Sequence, residues 1–137
     1  MRPKKNILIV SDDKVSLSVA IFSINLSVKV RATGAEGATE ASRLIGTCDW
    51  SAVILLSPLR SYDKVLKESK SLAPFSRMIA VSRTEGDFDD LPLVDMRVHN
   101  PTPADFLELI RIAAKRKRGP RVLYEKRESV TTLVAQA

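Results

Sequence analysis

The stretch WSAVILLSP, residues 50–58, decides the fold. Its apolar residues Val53–Leu56 are continuous rather than alternating, and Val53 and Ile54 are β-branched. A strand needs continuous apolarity when both of its faces are buried, as in the middle of a parallel sheet. The stretch therefore predicts a central parallel strand. It also places Ser57 at the end of that strand, where functional residues of open α/β sheets gather.

Composition indicates one globular domain. The chain has 137 residues, of which 45% are apolar and 28% are charged, and this length suits a single core. The net charge is +6, and residues 115–127, with seven basic residues and one acid, account for all of it. The single cysteine, Cys48, excludes an internal disulfide. No apolar run approaches the ~20 residues of a membrane helix, so we expect a cytoplasmic protein.

Strand and helix signals alternate on both sides of the central stretch. Alternating apolar and charged residues mark two edge strands, in one of which Asp95, Arg97 and His99 point away from the core. Thr33 and Gly34 predict a turn. The other strands are predicted at Ile7–Val10, Val28–Ala32, Arg77–Ser82 and Val94–Asn100, and the helices at Lys14–Leu26, Ala35–Ile45, Asp63–Leu72 and Thr102–Lys117. This order predicts an α/β fold, a doubly wound five-stranded parallel sheet sandwiched by helices.

The predicted first helix is apolar on two opposite faces and carries no charge after Lys14. One face packs on the sheet, and the other needs a cover, either the C-terminal tail or another chain. At about 100° per residue, one face holds Val15, Val19, Phe22 and Leu26, and the other holds Leu17, Ile21, Ile24 and Val28. We predict that Leu17, Ile21 and Ile24 form an interaction surface for a protein partner, including a second copy in a homodimer.

Polar residues follow the predicted strands, at the edge where a site is expected in an open α/β sheet. They are Asp12 and Asp13 after the first strand, Ser57 after the third, Ser82 after the fourth and Asn100 after the fifth. Asp12 or Asp13 can alternatively cap the helix that follows. These five residues form the predicted site.

On these motifs the chain resembles the receiver domains of two-component response regulators, over about residues 4–117. The motifs are SDD, VILLSP, AVS and HNP at the ends of the first, third, fourth and fifth strands; Ser57 lies 44 positions after Asp13, and Asn100 lies 43 after Ser57. The resemblance implies a flavodoxin-like receiver fold with strand order 2-1-3-4-5. We accordingly predict a receiver-like domain over residues 1–118 and a basic tail or linker over residues 119–137.

The resemblance also implies roles for the site residues. Asp12 and Asp13 match the acids that hold a divalent cation, and Ser82 matches the residue that hydrogen-bonds the phosphoryl group. Three positions depart from the family pattern: Ser57 stands where the phosphate-accepting aspartate is usual, Asn100 where a lysine is usual, and Arg97 where an aromatic switch residue is usual.

These departures predict a degenerate member, a pseudo-receiver. A serine hydroxyl is not ionised near neutral pH, and the loss of a cationic donor costs roughly 2–4 kcal/mol of phosphoryl stabilisation. We expect no enzyme activity, no cofactor and no metal site, with weak Mg²⁺ binding by Asp12 and Asp13 as the alternative to helix capping. The predicted function is phosphorylation-independent signalling through protein contacts.

Two surfaces and two alternatives complete the prediction. One surface is the first helix; the other is formed by the fifth strand and the last helix and comprises Arg97, His99, Glu108, Arg111 and Lys115. The first alternative is the N-terminal regulatory domain of a longer DNA-binding regulator, with the basic tail as linker or DNA contact. Nucleic acid is not favoured, because Tyr124 alone interleaves the basic run. The second alternative is a phosphorelay receiver that uses Asp63 as acceptor.

Overall fold

The computed structural model describes residues 5–73, 75–83, 88 and 94–115, without the side chain of residue 115. Five strands and four helices lie in this part of the chain. In order they are β1 (Lys5–Ser11), α1 (Lys14–Ser27), β2 (Val30–Glu36), α2 (Ala38–Ile45), β3 (Trp50–Leu56), α3 (Tyr62–Leu72), β4 (Arg77–Ser82), β5 (Met96–His99) and α4 (Pro103–Lys115). Within the described ranges, no helix combines the length and the apolarity needed to cross a membrane.

All five strands are parallel and form one sheet in the order β2-β1-β3-β4-β5. β3 lies in the middle, where Ile54 pairs with Ile9 of β1 on one side and with Ile79 of β4 on the other. Val53, Ile54 and Leu55 have no exposed surface. The predicted fold class, strand order and central position of β3 are confirmed, and so are the two edge strands.

Two helical layers cover the two faces of the sheet. On one face, Ile54 belongs to a core cluster with Leu17 of α1 and Ile110 of α4. On the other face, Leu55 belongs to a second cluster with Ile45 of α2 and the buried residues of α3. Because successive side chains of a strand point to opposite faces, the apolar run of β3 supplies both cores.

β2 differs from its prediction at both ends. The turn predicted at residues 33–34 is wrong, because both residues continue β2 in pairs with Leu8 and Ile9 of β1. Strand pairing here overrides the local turn preference of glycine. The strand starts at Val30 rather than Val28 because the Val28 N–H donates, at 2.8 Å, to a carbonyl in the last turn of α1.

α1 packs on the sheet by the face that sequence reasoning assigned to a partner. Leu17 and Ile24 are buried, and Ile21 packs against the same core cluster. Gly34 of β2 makes room for this face, since a Cβ there would collide with Ile21 and lie 3.1 Å from Leu17 Cγ. The prediction that Leu17, Ile21 and Ile24 form an interaction surface is therefore wrong. The outward face holds Val15, Val19, Phe22 and Leu26.

β5 is shorter than predicted, and Asp95 lies before it. Asp95 was predicted to point away from the core but is buried. Its Oδ2 accepts a hydrogen bond from Met78 N at 2.6 Å, and its own N–H donates to Met78 O at 2.8 Å. A side-chain carboxylate thus takes one place in the hydrogen-bond ladder at the start of β4.

Gly34→Val should lower the free energy of unfolding by about 1–3 kcal/mol, because the added side chain would push α1 away from the sheet. Urea denaturation followed by circular dichroism measures this change. Thr33→Val, on the opposite face of the same strand, is the control and should stay within about 0.5 kcal/mol of the wild type. Equal losses in both variants would contradict the role given to Gly34.

Candidate functional site

The structure places the five predicted site residues at one edge of the sheet. Asp12 and Asp13 follow β1, Ser57 follows β3, Ser82 ends β4 and Asn100 follows β5. Because the strands are parallel, their carboxyl ends lie along the same edge. Their placement is the one expected from the sequence; the contacts described next determine what each can do.

Asp12 links the loop after β1 to the loop after β3. Its N–H donates to Pro58 O at 2.8 Å, and its Oδ2 accepts a hydrogen bond from Arg60 N at 2.6 Å. A bond from a backbone N–H to a carboxylate is charge-assisted and therefore stronger than a neutral one. Asp12 thus serves as a connection between two loops.

Asp13 caps α1, as the helix-capping interpretation of the sequence predicted. Its Oδ1 accepts from Val15 N at 3.1 Å, and its Oδ2 accepts from Ser16 Oγ at 2.7 Å. The Ser16 hydrogen bond is the main reason that the pKa of Asp13 lies below its ordinary value of 3.8, and the charge of Arg83 makes a smaller contribution. The carboxylate is therefore held in its ionised form by donors of the chain itself.

Ser57 is fixed to the end of β4 through both its backbone and its side chain. Its N–H donates to Val81 O at 3.0 Å, and its Oγ accepts a hydrogen bond from Arg83 N at 2.8 Å. The residue is buried, with 2% of its surface exposed. In this geometry the hydroxyl acts as an acceptor for a backbone N–H.

Arg83 is the site residue that sequence reasoning missed. Besides its backbone bond to Ser57, its guanidinium Nη1 lies 3.4 Å from Asp13 Oδ2 and donates to Ser16 Oγ. Half of the side chain is exposed, so water screens this ion pair and its geometry matters more than its strength. The one signal in the sequence is its position directly after Ser82, at the end of a buried strand.

The acids at this edge are engaged by donors of the chain itself. Mg²⁺ requires octahedral oxygen ligands, usually including carboxylates with free lone pairs. Both oxygens of Asp13 and Oδ2 of Asp12 accept hydrogen bonds from the chain, and Ser57, which follows β3, carries no carboxylate. Among the described residues, no group of three His, Cys, Asp or Glu side chains could hold a metal ion. The geometry therefore favours the capping interpretation over weak Mg²⁺ binding.

Ser82 and Asn100 are engaged with β5 and its loop. Ser82 Oγ lies 3.0 Å from His99 Nδ1, and Asn100 N donates to Ser82 O at 2.6 Å. Asn100 has a φ of 45°, in the left-handed region that asparagine tolerates better than most residues. His99 is exposed, as predicted, but its contact with Ser82 was not foreseen.

The predicted surface around β5 and α4 is only partly one surface. Arg97 and His99 are exposed on β5, and Glu108 forms a 3.3 Å ion pair with Arg111 on α4. The intervening β5 side chains pack with the α1–α4 core, so Arg97 and His99 point to the other side of the sheet. The two groups do not share one face, which corrects the prediction.

Other predicted features lie elsewhere. The Lys115 side chain and the basic tail, residues 119–137, lie outside the described residues, so the DNA-contact alternative stays a prediction. Asp63, the alternative phosphate acceptor, is exposed in the first turn of α3. Its use as a phosphate acceptor likewise stays a prediction.

The sheet order and the polar residues at its carboxyl edge define the fold as that of response-regulator receiver domains. A CheY-like receiver domain protein from Methanospirillum hungatei JF-1 has a similar structure, with a TM-score of 0.67 and 20% identity over 91% of this chain and 99% of that chain. The receiver domain of the sensor histidine kinase PA1611 from Pseudomonas aeruginosa, with magnesium in its active site cleft, is 20% identical over 81% of this chain and 95% of that chain, with a TM-score of 0.67.

A protein that is named as an enzyme has the same fold. An adenylate cyclase from Rhodopirellula baltica is 17% identical over 98% of this chain and 100% of that chain, with a TM-score of 0.69. Neither a protein-family model nor a curated protein sequence matches this chain significantly. At such identities the likenesses establish the fold.

Ser16→Ala should raise the pKa of Asp13 toward 3.8, and by more than Arg83→Gln does, because the Ser16 hydroxyl is the main cause of the lowered pKa. An NMR titration of the Asp13 carboxyl measures both variants. Because the folded-state pKa is depressed, the stability from this carboxylate is fully present above about 3.8 and is lost as the pH falls through the folded value. A larger rise in Arg83→Gln would instead make the ion pair the dominant cause.

Proposed function

We propose that this chain is a receiver-like signalling domain that acts without phosphorylation, through contacts with other proteins. The receiver fold supports a signalling role. The proposal assigns residues 1–118 to the domain and residues 119–137 to a basic tail or linker. The domain contributes binding, and no catalytic step is assigned to it.

The observation that carries the proposal is the engagement of the Ser57 side chain. A receiver needs a carboxylate nucleophile at the end of its third strand to form an aspartyl phosphate. Here the hydroxyl is buried and accepts a hydrogen bond from Arg83 N at 2.8 Å. Within the described part of the chain, no histidine or carboxylate is hydrogen-bonded to this hydroxyl to act as its base.

The charges around Ser57 support the same conclusion. Transfer of a phosphoryl group requires cations that face the developing negative charge. Arg83, a cation at this edge, already contacts Asp13 and Ser16. Asn100 stands where a lysine would face the phosphate, and its amide carries no charge. These charges support the proposal that the edge does not accept a phosphoryl group.

Protein contacts are supported by the exposed charged residues of β5 and α4. Glu108 and Arg111 form an ion pair on α4, and Arg97 and His99 are exposed on β5. Exposed edge strands and charged helix faces are surfaces that partners recognise by the sign of their charge and by their shape. We assign the partner contact to these residues of β5 and α4.

Incubation of the full chain with acetyl phosphate and Mg²⁺ should leave its intact mass unchanged, because Ser57 is not an ionised nucleophile. Beryllofluoride with Mg²⁺ should likewise leave the NMR signals of Ser57 and its neighbours unshifted. A phosphoryl adduct on the wild-type chain, or saturable shifts around Ser57, would sink the proposal.

The control rebuilds the missing groups in the same fold. The triple variant Ser57→Asp, Arg83→Ala, Asn100→Lys supplies the carboxylate and the amine and removes the competing guanidinium. It should gain Mg²⁺-dependent shifts at Asp12 and Asp13 that the wild type lacks. This gain would show that the fold can hold the cation and that the side chains at the edge make the difference.

The second experiment tests whether the chain acts through contacts with other proteins. Its readout, here called the output, is the phenotype that the chain supports in its native host. Ser57→Ala should preserve the output, at a stability cost of about 1 kcal/mol for the lost hydrogen bond. The swap Glu108→Arg with Arg111→Glu keeps the ion pair of α4 but reverses the charges shown to a partner, and it should abolish the output. Complementation of a deletion strain measures both, with immunoblots for protein level. The opposite pattern would indicate a phosphorylation-type pocket.

A further inference from the structure

A row of exposed apolar residues runs along the outer face of α1. Single exposed apolar residues are ordinary on a protein surface, whereas four on one helical face mark a contact surface. The row, here called the α1 seam, consists of Val15, Val19, Phe22 and Leu26, which are 71%, 60%, 68% and 66% exposed.

The α1 seam has the spacing of a helix–helix interface. Its residues lie four, three and four positions apart, the a/d pattern by which two helices pack side by side. The flanking exposed residues Ser18 and Asn25 are uncharged, and α1 carries no charge after Lys14. Two identical seams can therefore meet without bringing like charges together along their length.

A groove of about 340 Å³ opens beside the α1 seam, between α1 and the start of α4. Val15 and Val19 form one wall, and Pro103, Phe106 and Leu107 form part of the other. Walls of this kind favour an apolar occupant, because burial removes apolar surface from water on both sides. Aromatic side chains seated in such pockets contribute most of the affinity at many protein interfaces.

We propose that the α1 seam binds a second copy of this chain, with the two α1 helices antiparallel. In this isologous arrangement Val19 faces Phe22 of the other copy, and Val15 faces Leu26. Phe22 of each copy then lies beside the valines that wall the groove of the other copy and fills that groove. This inference goes beyond the proposed function and does not rest on it.

Charge favours the antiparallel arrangement over the parallel one. Lys14 stands in the first turn of α1, where the positive end of the helix dipole opposes a cation, and the last turn contains no basic residue. In the antiparallel pair, Asp13 and Lys14 of one copy lie beside the end of α1 of the other, where the last carbonyl groups carry partial negative charge and exposed Lys29 follows. Lys14 then lies near these carbonyl groups, and Asp13 lies near Lys29. A parallel pair would place the two Lys14 side chains next to each other.

Sedimentation of the full chain over a range from micromolar to millimolar concentration tests the dimer. The α1 seam has four apolar residues, whereas a standard interface has roughly 20–30 residues on each side, so we expect a weak, concentration-dependent dimer. Phe22→Ser and Val19→Glu should each remain monomeric throughout the range. Phe75→Ser, which changes an equally large exposed residue outside α1, should dimerise as the wild type does. Circular dichroism verifies that each variant is folded.

Cysteine cross-linking tests the orientation. In a Cys48→Ser background, a chain with Val15→Cys is mixed with a chain carrying Leu26→Cys and oxidised. The antiparallel pair should give mixed disulfides well in excess of self-linked ones. Self-linked products alone would indicate a parallel contact and overturn the proposal. A wild-type chain that stays monomeric at millimolar concentration, or a dimer that survives Phe22→Ser, would overturn it as well.

Discussion

Val53, Ile54 and Leu55 lie in the middle of the sheet with no surface exposed to water. Because neighbouring side chains of β3 point to opposite faces, both faces have to be covered by helices. β1 and β4 satisfy the hydrogen bonds of its backbone on either side. Parallel strands with helices on both faces bring their carboxyl ends to one edge, and this places the residues that directly follow β1, β3, β4 and β5 along that edge.

The chemistry of that edge follows from one extension of the sheet. Ser57 N bonds to Val81 O, which continues the contact between β3 and β4 beyond the last residue of β3. The Arg83 N–H therefore donates a hydrogen bond to the Ser57 hydroxyl, and the Arg83 guanidinium contacts Asp13 and Ser16. One residue thus joins the ends of β1, β3 and β4. In the receiver arrangement that the sequence resembles, a bound cation lies among the corresponding acids.

The sequence predicts those parts of the fold whose signal is local. The continuous apolar run of β3 and the full extent of β4, residues 77–82, were predictable because burial on both faces leaves an unambiguous pattern. The packed face of α1 was not, because both of its faces are apolar and the choice depends on the space that Gly34 leaves for Leu17 and Ile21. The role of Arg83 at the site was not predicted for a similar reason, since its contact with Asp13 joins residues 70 positions apart.

A receiver switches because phosphorylation stabilises one conformation more than another. Arg83 is part of the chain and always present, so its contacts favour a single arrangement of the edge. Under the proposed function, the quantities left to vary are the partner and the concentration of the chain itself. Self-association through the α1 seam would make the state of the domain depend on its concentration, because the dimer fraction rises by mass action. Val15 and Val19 line the same groove as Arg83 and Asn100. A second copy bound in this groove would therefore contact the edge of the sheet at which receivers are phosphorylated.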